Sequence, residues 1–283
     1  MLVGMMPFRV MYFFSDAIYF LIYHVIGYRR NVVMTNLQIS FPEKNPDEIQ
    51  LLIKKFYHHL CDISLEGVKG FTMSENELTS RHHILNPELA DHYFDKGVST
   101  IAVPGHYNNW EWGSLSPAFQ IKYSIVAFYK CMSNGRVDLF ARKHRAKFNT
   151  RLASLRETSS TFNELSDIPH AYIMASDQSP TNLKDCYWID FLNQDTPWLH
   201  GLEKYARKYN WPAIYVDIKK VKRGFYELNL ILLTDNPASL PDGEITRLYT
   251  QQLEKSILHE PAYWLWSHKR WKHKRDWGLE FRD

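Results

Sequence analysis

Residues 103–112 read VPGHYNNWEW, which places His106 and Glu111 five positions apart among two tryptophans, a tyrosine and two asparagines. A neutral imidazole, with a free pKa of about 6.5, is a suitable base for an alcohol. A carboxylate on its other nitrogen fixes the tautomer and stabilises the imidazolium that forms. No serine or cysteine nucleophile stands at an obvious elbow here. The pair therefore points to deprotonation of a hydroxyl that belongs to the substrate, with direct attack on an acyl donor. The plainer alternative is a satisfied core histidine beside a surface glutamate, because H-x4-E is a short pattern.

A second position is unusual in its setting. Val137, Ala141, Phe148, Leu152 and Leu155 step along one face of an expected helix over 136–156, at spacings of four, seven, four and three. Arg145 falls in the gap of seven, on the same apolar stripe. Burying an unpaired guanidinium costs several kcal/mol, so Arg145 needs a carboxylate, carbonyls or a phosphate. It is expected to face the site and bind substrate phosphate or the developing oxyanion; a structural ion pair or a snorkelling stem is the alternative. Asp177 and Gln178 follow an apolar run and fit the same edge, where they would orient the acceptor or pair with Arg145. Asp177 is equally suited to capping a turn.

These side chains need elements to carry them. On a regular helix, positions five apart sit about 140° round the axis, so His106 and Glu111 would not share a face. The spacing works if His106 is in a turn and Glu111 in the first turns of a helix. The run VSTIAV (98–103) reads as a buried strand, Gly105 allows the turn, and the aromatic stretch opens the helix. Further strands are expected at 123–129, 171–176, 211–221 and 225–233, and helices at 43–69 and 244–258. The first of these helices is expected to open at Pro42 and Glu43. NPEL at 86–89 reads as an N-cap followed by proline. Strands alternating with helices argue for an α/β sheet with crossover connections. His106 would then stand at the carboxyl edge of the sheet, where open α/β sheets bind ligands.

The 283 residues suffice for one large α/β domain. The net charge of +3 is too small to imply nucleic acid. Its distribution is uneven: from Lys122 to Arg156 there are nine Lys/Arg against Asp138, and HKRWKHKR (268–275) holds five more. Both stretches favour a phosphate, an acidic carrier or an anionic membrane surface, unless they are simply solvated helix faces. Cys61, Cys131 and Cys186 are far apart, without metal-ligand spacing, and fit a reducing compartment. Residues 1–30 are the most apolar segment, interrupted by Arg9, Asp16 and His24. That segment is expected as a helix lying in, or half inserted into, a bilayer surface, with Arg29 and Arg30 at the headgroups; a buried core helix is the alternative. Residues 31–283 form the expected α/β domain.

Several segments resemble, in order, the motifs of the bacterial lipid A biosynthesis acyltransferase family. GHYNNWE is similar to its first motif, GHFGNWE, whose His and Glu are the catalytic pair; His106, Asn109, Trp110 and Glu111 match. YRRNVVMTNLQISFP (28–42) resembles its entry segment. FYKCMSNGRVDLFARKHRAKFN resembles its arginine block, with Lys130, Asn134, Asp138, Arg145 and Phe148 at matching places. MASDQSP (174–180) is similar to its DQ motif, and PAYWLWSHKRWKHK to its closing signature. IDFLNQDTPWLHGLEKYA resembles a further stretch that usually carries FFG. Asn108, Asn149 and Asn193 stand where the family usually has glycine, and Tyr107 replaces Phe, adding a hydroxyl near the reacting centre. Asparagine tolerates positive φ best after glycine, so the backbone turns are expected to survive at Asn149 and Asn193.

The resemblance implies a glycerol-3-phosphate acyltransferase-like fold: a mixed, largely parallel central sheet flanked by helices. It implies O-acyl transfer from an acyl thioester to a hydroxyl of a membrane lipid such as a lipid A precursor, on the cytoplasmic face of a bacterial inner membrane. His106 would be the base and Glu111 its partner. Arg145, Asn109, Trp110, Asp177, Gln178 and Lys130 would contact substrate, and Trp110 and Trp112 would wall an apolar cleft. No metal or bound cofactor is implied. The donor would be an acyl-carrier protein, favoured over coenzyme A by the family. A lysophospholipid or aminolipid is the alternative acceptor, and a catalytically silent peripheral lipid-binding protein is the competing reading.

Overall fold

A computed structural model describes residues 2–131, 134–146, 148–164 and 168–275. The helices before the sheet are α1 (Leu2–Met5), α2 (Phe8–Phe20), α3 (Arg30–Ser40), α4 (Pro46–Gly70) and α5 (Glu75–Arg81). Then come β1 (His82–Ile84), α6 (Glu88–Asp95), β2 (Thr100–Pro104), the single turn α7 (Trp110–Gly113), β3 (Ser124–Tyr129) and α8 (Gly135–Ala146). They are followed by β4 (Thr150–Ser154), α9 (Thr158–Asn163), β5 (His170–Ile173) and the strands β6 (Cys186–Phe191) and β7 (Gln194–Leu199). The chain continues with α10 (Gly201–Tyr209), β8 (Ala213–Lys222), β9 (Phe225–Thr234) and α11 (Glu244–His259).

Seven strands form one sheet in the order β1-β9-β8-β2-β5-β3-β4. Every neighbouring pair is parallel except β8 with β9. The expected mixed, largely parallel α/β sheet is what the chain forms. Its strands are apolar on both faces because helices cover both. On β3 and β5, consecutive residues enter opposite cores: Val126 and Tyr172 join one cluster, Ile125 and Ala171 the other. The parallel strands β2, β3 and β5 end at one edge of the sheet. His106, Lys130 and Asp177 follow those three strand ends.

Local chemistry explains where the elements differ from the sequence reading. Asn45, not Pro42, opens α4: its side chain accepts from Asp47 N and Glu48 N, and Glu48 returns a bond to its backbone. Asn86 does not cap α6 but bonds the backbone of Leu230 in β9. The helix expected over 136–156 stops at Ala146. Asn149, at φ 50°, turns the chain and Thr150–Ser154 becomes β4, an edge strand on β3. A pattern of short apolar steps served both readings, and tertiary pairing with β3 decided between them. The β6–β7 hairpin, α10 and β1 lacked a period clear enough to read.

The N-terminal segment is interrupted at Met6 and Pro7 and is then helical without a break from Phe8 to Ile26. After α2 the chain runs on as a π-helix over Leu21–Ile26 and ends at Gly27 with φ 66°. Phe8–Ile26 is long and apolar enough to cross a membrane by length and composition. One side of it is anchored to the domain: Ser15 Oγ donates to Asp62 at 2.7 Å, and Tyr12 donates to Glu66 at 2.6 Å. The opposite side leaves Phe13, Phe20, Leu21, Val25 and Ile26 exposed. An apolar face of that kind, with the polar contacts turned inward, suits an amphipathic surface helix.

Candidate active site

β2 delivers the chain to the carboxyl edge of the sheet at Pro104, whose carbonyl accepts from Tyr249. At Gly105 the chain passes so close to α11 that an added Cβ would lie 2.5 Å from Leu253 Cδ1. A side chain here would have to displace Leu253, so glycine suits the approach, which brings His106 against the loop after β5. Asp177, in that loop, holds His106 twice: Oδ1 takes the ring Nδ1 hydrogen at 2.6 Å, and Oδ2 takes the backbone N–H at 2.7 Å. Trp264 Nε1 donates to the same Oδ2 at 2.8 Å. Asp177 is buried, at 2% exposure, while the His106 side chain retains 19%.

This arrangement fixes the imidazole. A carboxylate can only accept, so the hydrogen is on Nδ1 and the lone pair on Nε2. Nε2 accepts from the Gln178 side-chain amide at 3.0 Å. Burial by itself lowers the pKa of His106, but the charge and hydrogen bond of Asp177, and then the charge of Glu111, raise it above the ordinary value. Burial likewise raises Asp177. The His106 charge and the hydrogen bonds from His106 and Trp264 outweigh it and bring the carboxyl down to about 2. Both shifts express one interaction, a preference for the charged pair.

Glu111 is not the carboxylate on Nδ1, as its place in the motif suggested. It sits in α7 and pairs with Arg145, Nη2 to Oε2 at 2.5 Å. Its stem lies against Gly67 of α4, where an added Cβ would meet Glu111 Cγ at 3.2 Å. Arg145 is held in an ion pair with Glu111, which is the alternative to the expected binding of a substrate phosphate or oxyanion. The stripe that carried the argument is shared between elements: Ala141 is on α8, Leu152 is in β4, and Leu155 is exposed. The side chain of Val137 lies outside the described residues.

The remaining candidates separate into those near His106 and those behind it. The Trp110 ring meets the imidazole edge-on, with centroids 5.4 Å apart. Lys130 is exposed just past the end of β3. Asn109 is buried: its oxygen caps α7 at Trp112 N, and its amide nitrogen donates to Glu66 at 2.7 Å. Trp112 does not wall a cleft; it is fully buried and donates to the Glu66 carbonyl. The Tyr107 hydroxyl points away from the reacting centre, donating to the carbonyls of Ser256 and Glu260. Asn108, Asn149 and Asn193 adopt φ of 54°, 50° and 63°, so all three hold the left-handed turns that glycine would favour.

Two supporting residues were missed. Trp264 lies in PAYWLWSHKR, but nothing in that stretch announces a bond to Asp177. Glu66 sits in a helix of ordinary amphipathic pattern, yet it is fully buried and accepts from Tyr12, Asn109 and Tyr226. Acidic residues at inward positions of α4, Asp62 and Glu66, were the available signal.

A buried aspartate thus fixes a partly open histidine at the carboxyl edge of a largely parallel sheet, the edge where open α/β sheets bind ligands. The family model for bacterial lipid A biosynthesis acyltransferase matches residues 1–273, and the chain belongs to that family. It is an acyltransferase of the lipid A type. Comparison with curated proteins yields no match.

Proposed function

We propose that the protein moves a fatty acyl chain from an acyl-carrier-protein thioester to a hydroxyl of a lipid A precursor, with His106 as general base. The observation that carries this reading is the Nδ1–Asp177 bond at 2.6 Å, which leaves the Nε2 lone pair as the only basic position of the ring. Gln178 gives way to the acceptor hydroxyl. Nε2 takes its proton, the oxygen attacks the thioester carbonyl, and the tetrahedral intermediate collapses. The thiol leaves with the proton returned by the imidazolium.

Glu111 and Arg145 set the electrostatics around the ring. Glu111 favours the imidazolium as it forms, and Arg145 holds Glu111 in place. An apolar groove of about 550 Å³, with Ile18, Ile22, Leu60 and Leu265 among its lining residues, supports a seat for an acyl chain. His268 lies in the same groove and accepts from Ser179 N at 2.9 Å, which ties the groove to the Asp177–Gln178 loop. The basic residues of α8, with exposed Leu139 and Phe140, suit an acidic carrier. The exposed side of Phe8–Ile26 suits the cytoplasmic surface of an inner membrane.

The test incubates the purified chain with labelled acyl-carrier protein and a panel of lipid acceptors, with products read by mass spectrometry. Transfer to a lipid A precursor is expected, and His106→Ala is expected to abolish it while membrane association persists. Transfer to a lysophospholipid or aminolipid alone would move the acceptor assignment. Unchanged turnover in His106→Ala would remove the mechanism.

A further inference from the structure

A second cleft, of about 320 Å³, lies where α2, α4 and β8 meet, with Tyr19 on one side and Tyr263 on another. Its polar lining is almost wholly basic: Lys54, Lys55, His58 and His59 from α4, and Lys220 from β8. None of these residues belongs to the His106 site.

The charge balance favours an anion. Arg223 lies on both nearby carboxylates, at 2.5 Å from Asp16 and 2.6 Å from Asp62. Lys220 is left 4.0 Å from Asp62, a long contact for an ammonium that is largely buried. Among the described residues no carboxylate pairs with Lys54 or Lys55. Three lysines and Arg223 thus outnumber the three carboxylates that act on them, Asp16, Asp62 and the buried Glu66. Asp16, His58 and Asp62 bring ligand atoms within 4.8 Å of one another, but a guanidinium on both carboxylates opposes a metal cation there.

His59 supplies an independent observation. It is 2% exposed and its ring packs on Tyr263 at 4.5 Å. Lys220 Nζ lies 3.3 Å from Nδ1. An ammonium can only donate, so Nδ1 is the acceptor and the hydrogen is on Nε2. Burial, with Lys220 and His58 adding to it, keeps this ring neutral, its pKa well below the usual value. Nε2–H is therefore a buried donor, and among the described residues it has no acceptor. A buried donor left so is unfavourable unless a ligand or water takes it.

We propose that this cleft binds a phosphate group, presented by anionic lipid headgroups at the bilayer surface. Lys54 and Lys55 stand at its rim and Lys220 at its base, and the His59 ring, whose Nε2 has no acceptor among the described residues, lines it. The lipid source follows from the neighbour: Tyr19 belongs to α2, whose outer side is the exposed apolar face.

The test uses the full chain and vesicles of phosphatidylcholine with or without phosphatidic acid. Lys54→Gln with Lys55→Gln is expected to weaken binding to the phosphatidic acid vesicles about tenfold and to leave binding to the neutral ones unchanged. His59→Phe, which removes no charge, is expected to weaken it as well. The control Lys204→Gln with Lys208→Gln, on α10, is expected to have no effect. An equal loss in the control, or parent-like binding in the lysine variant, overturns the proposal. Displacement of the vesicles by glycerol 3-phosphate supports it. Inorganic phosphate that binds the chain, measured by calorimetry, yet fails to displace vesicles would assign the cleft to free phosphate and overturn the lipid source.

Discussion

Asp177 grips His106 through the ring and the backbone together, at 2.6 and 2.7 Å, so turning the imidazole breaks its bond to a carboxylate that the backbone N–H and Trp264 keep in place. Asp177→Asn keeps the shape but removes the charge, and one of its three present donors loses its acceptor. We expect kcat to fall by about 10²–10⁴-fold with KM little altered, because the tautomer and the forming imidazolium are no longer supported. Steady-state kinetics with the acyl-carrier thioester measure this, and circular dichroism checks that the fold persists. A loss confined to KM would contradict the assignment.

The pH profile follows from the direction of the His106 shift. A base must be neutral to accept a proton, and Asp177 and Glu111 both favour the protonated ring. Transfer should therefore rise with pH through a midpoint above about 6.5, the free histidine value. Glu111→Gln removes one of the favouring charges, so its midpoint should move down. Rates against pH for parent and variant decide this. A midpoint that stays in place in the variant would mean that Glu111 acts on something other than the ring.

Glu111 and Arg145 should also behave as a unit. Glu111→Gln and Arg145→Met each break the same ion pair, so the double variant should lose much less than the sum of the two single losses. A double-mutant cycle on kcat/KM should give a coupling above about 0.5 kcal/mol. Additive losses would show that the pair seen between these side chains has no part in turnover.

How much of this was legible can be judged from the same residues. The strand, turn and one-turn helix around His106 were readable because VSTIAV, Gly105 and the aromatic run are local signals. The stripe from which a partner for Arg145 is argued does not hold as one helix face, because Leu152 is in β4 and Leu155 is exposed. Which carboxylate each cation takes was not readable, since Asp177 reaches His106 from 71 positions away across the β2–β5 pair. The same holds for Glu66, whose three donors come from residues 12, 109 and 226. The stretch 148–156 failed for another reason. Its apolar spacing fits a helix, and only the neighbouring β3 makes it a strand.

Asn108 offers a stability test of the turn itself. Its φ of 54° is costly for most residues, and its side chain donates to the Ile218 carbonyl at 2.6 Å. Asn108→Gly keeps the backbone but loses the bond, a cost of about 1 kcal/mol. Asn108→Ala loses the same bond and, unlike glycine, keeps a Cβ in the left-handed region without asparagine's tolerance of it, costing about 1–2 kcal/mol more. Thermal or denaturant unfolding should therefore rank parent above Gly above Ala. An alanine variant as stable as the glycine one would contradict this account.

The N-terminal helix has an exposed apolar side and a side bonded towards the site, and the roles of the two can be separated. Its inner side reaches the motif through Tyr12, Glu66 and Asn109, in bonds of 2.6 and 2.7 Å. Its outer side exposes Phe13 at 71% and Phe20 at 60%. Each phenylalanine buried in a bilayer contributes about 1.5–3 kcal/mol, so Phe13→Ser with Phe20→Ser should weaken vesicle binding at least tenfold. These side chains contribute little to the folded core, so the unfolding midpoint should stay close to the parent's. Transfer to a detergent-dispersed acceptor should be unchanged, whereas transfer to an acceptor in vesicles should need more enzyme. Tyr12→Phe should do the opposite. It removes a donor from a buried carboxylate, and should lower stability and turnover on either acceptor while vesicle binding holds. Sedimentation with vesicles, run beside both activity assays, tests the division, and a Phe13/Phe20 variant inactive even in detergent would refute it.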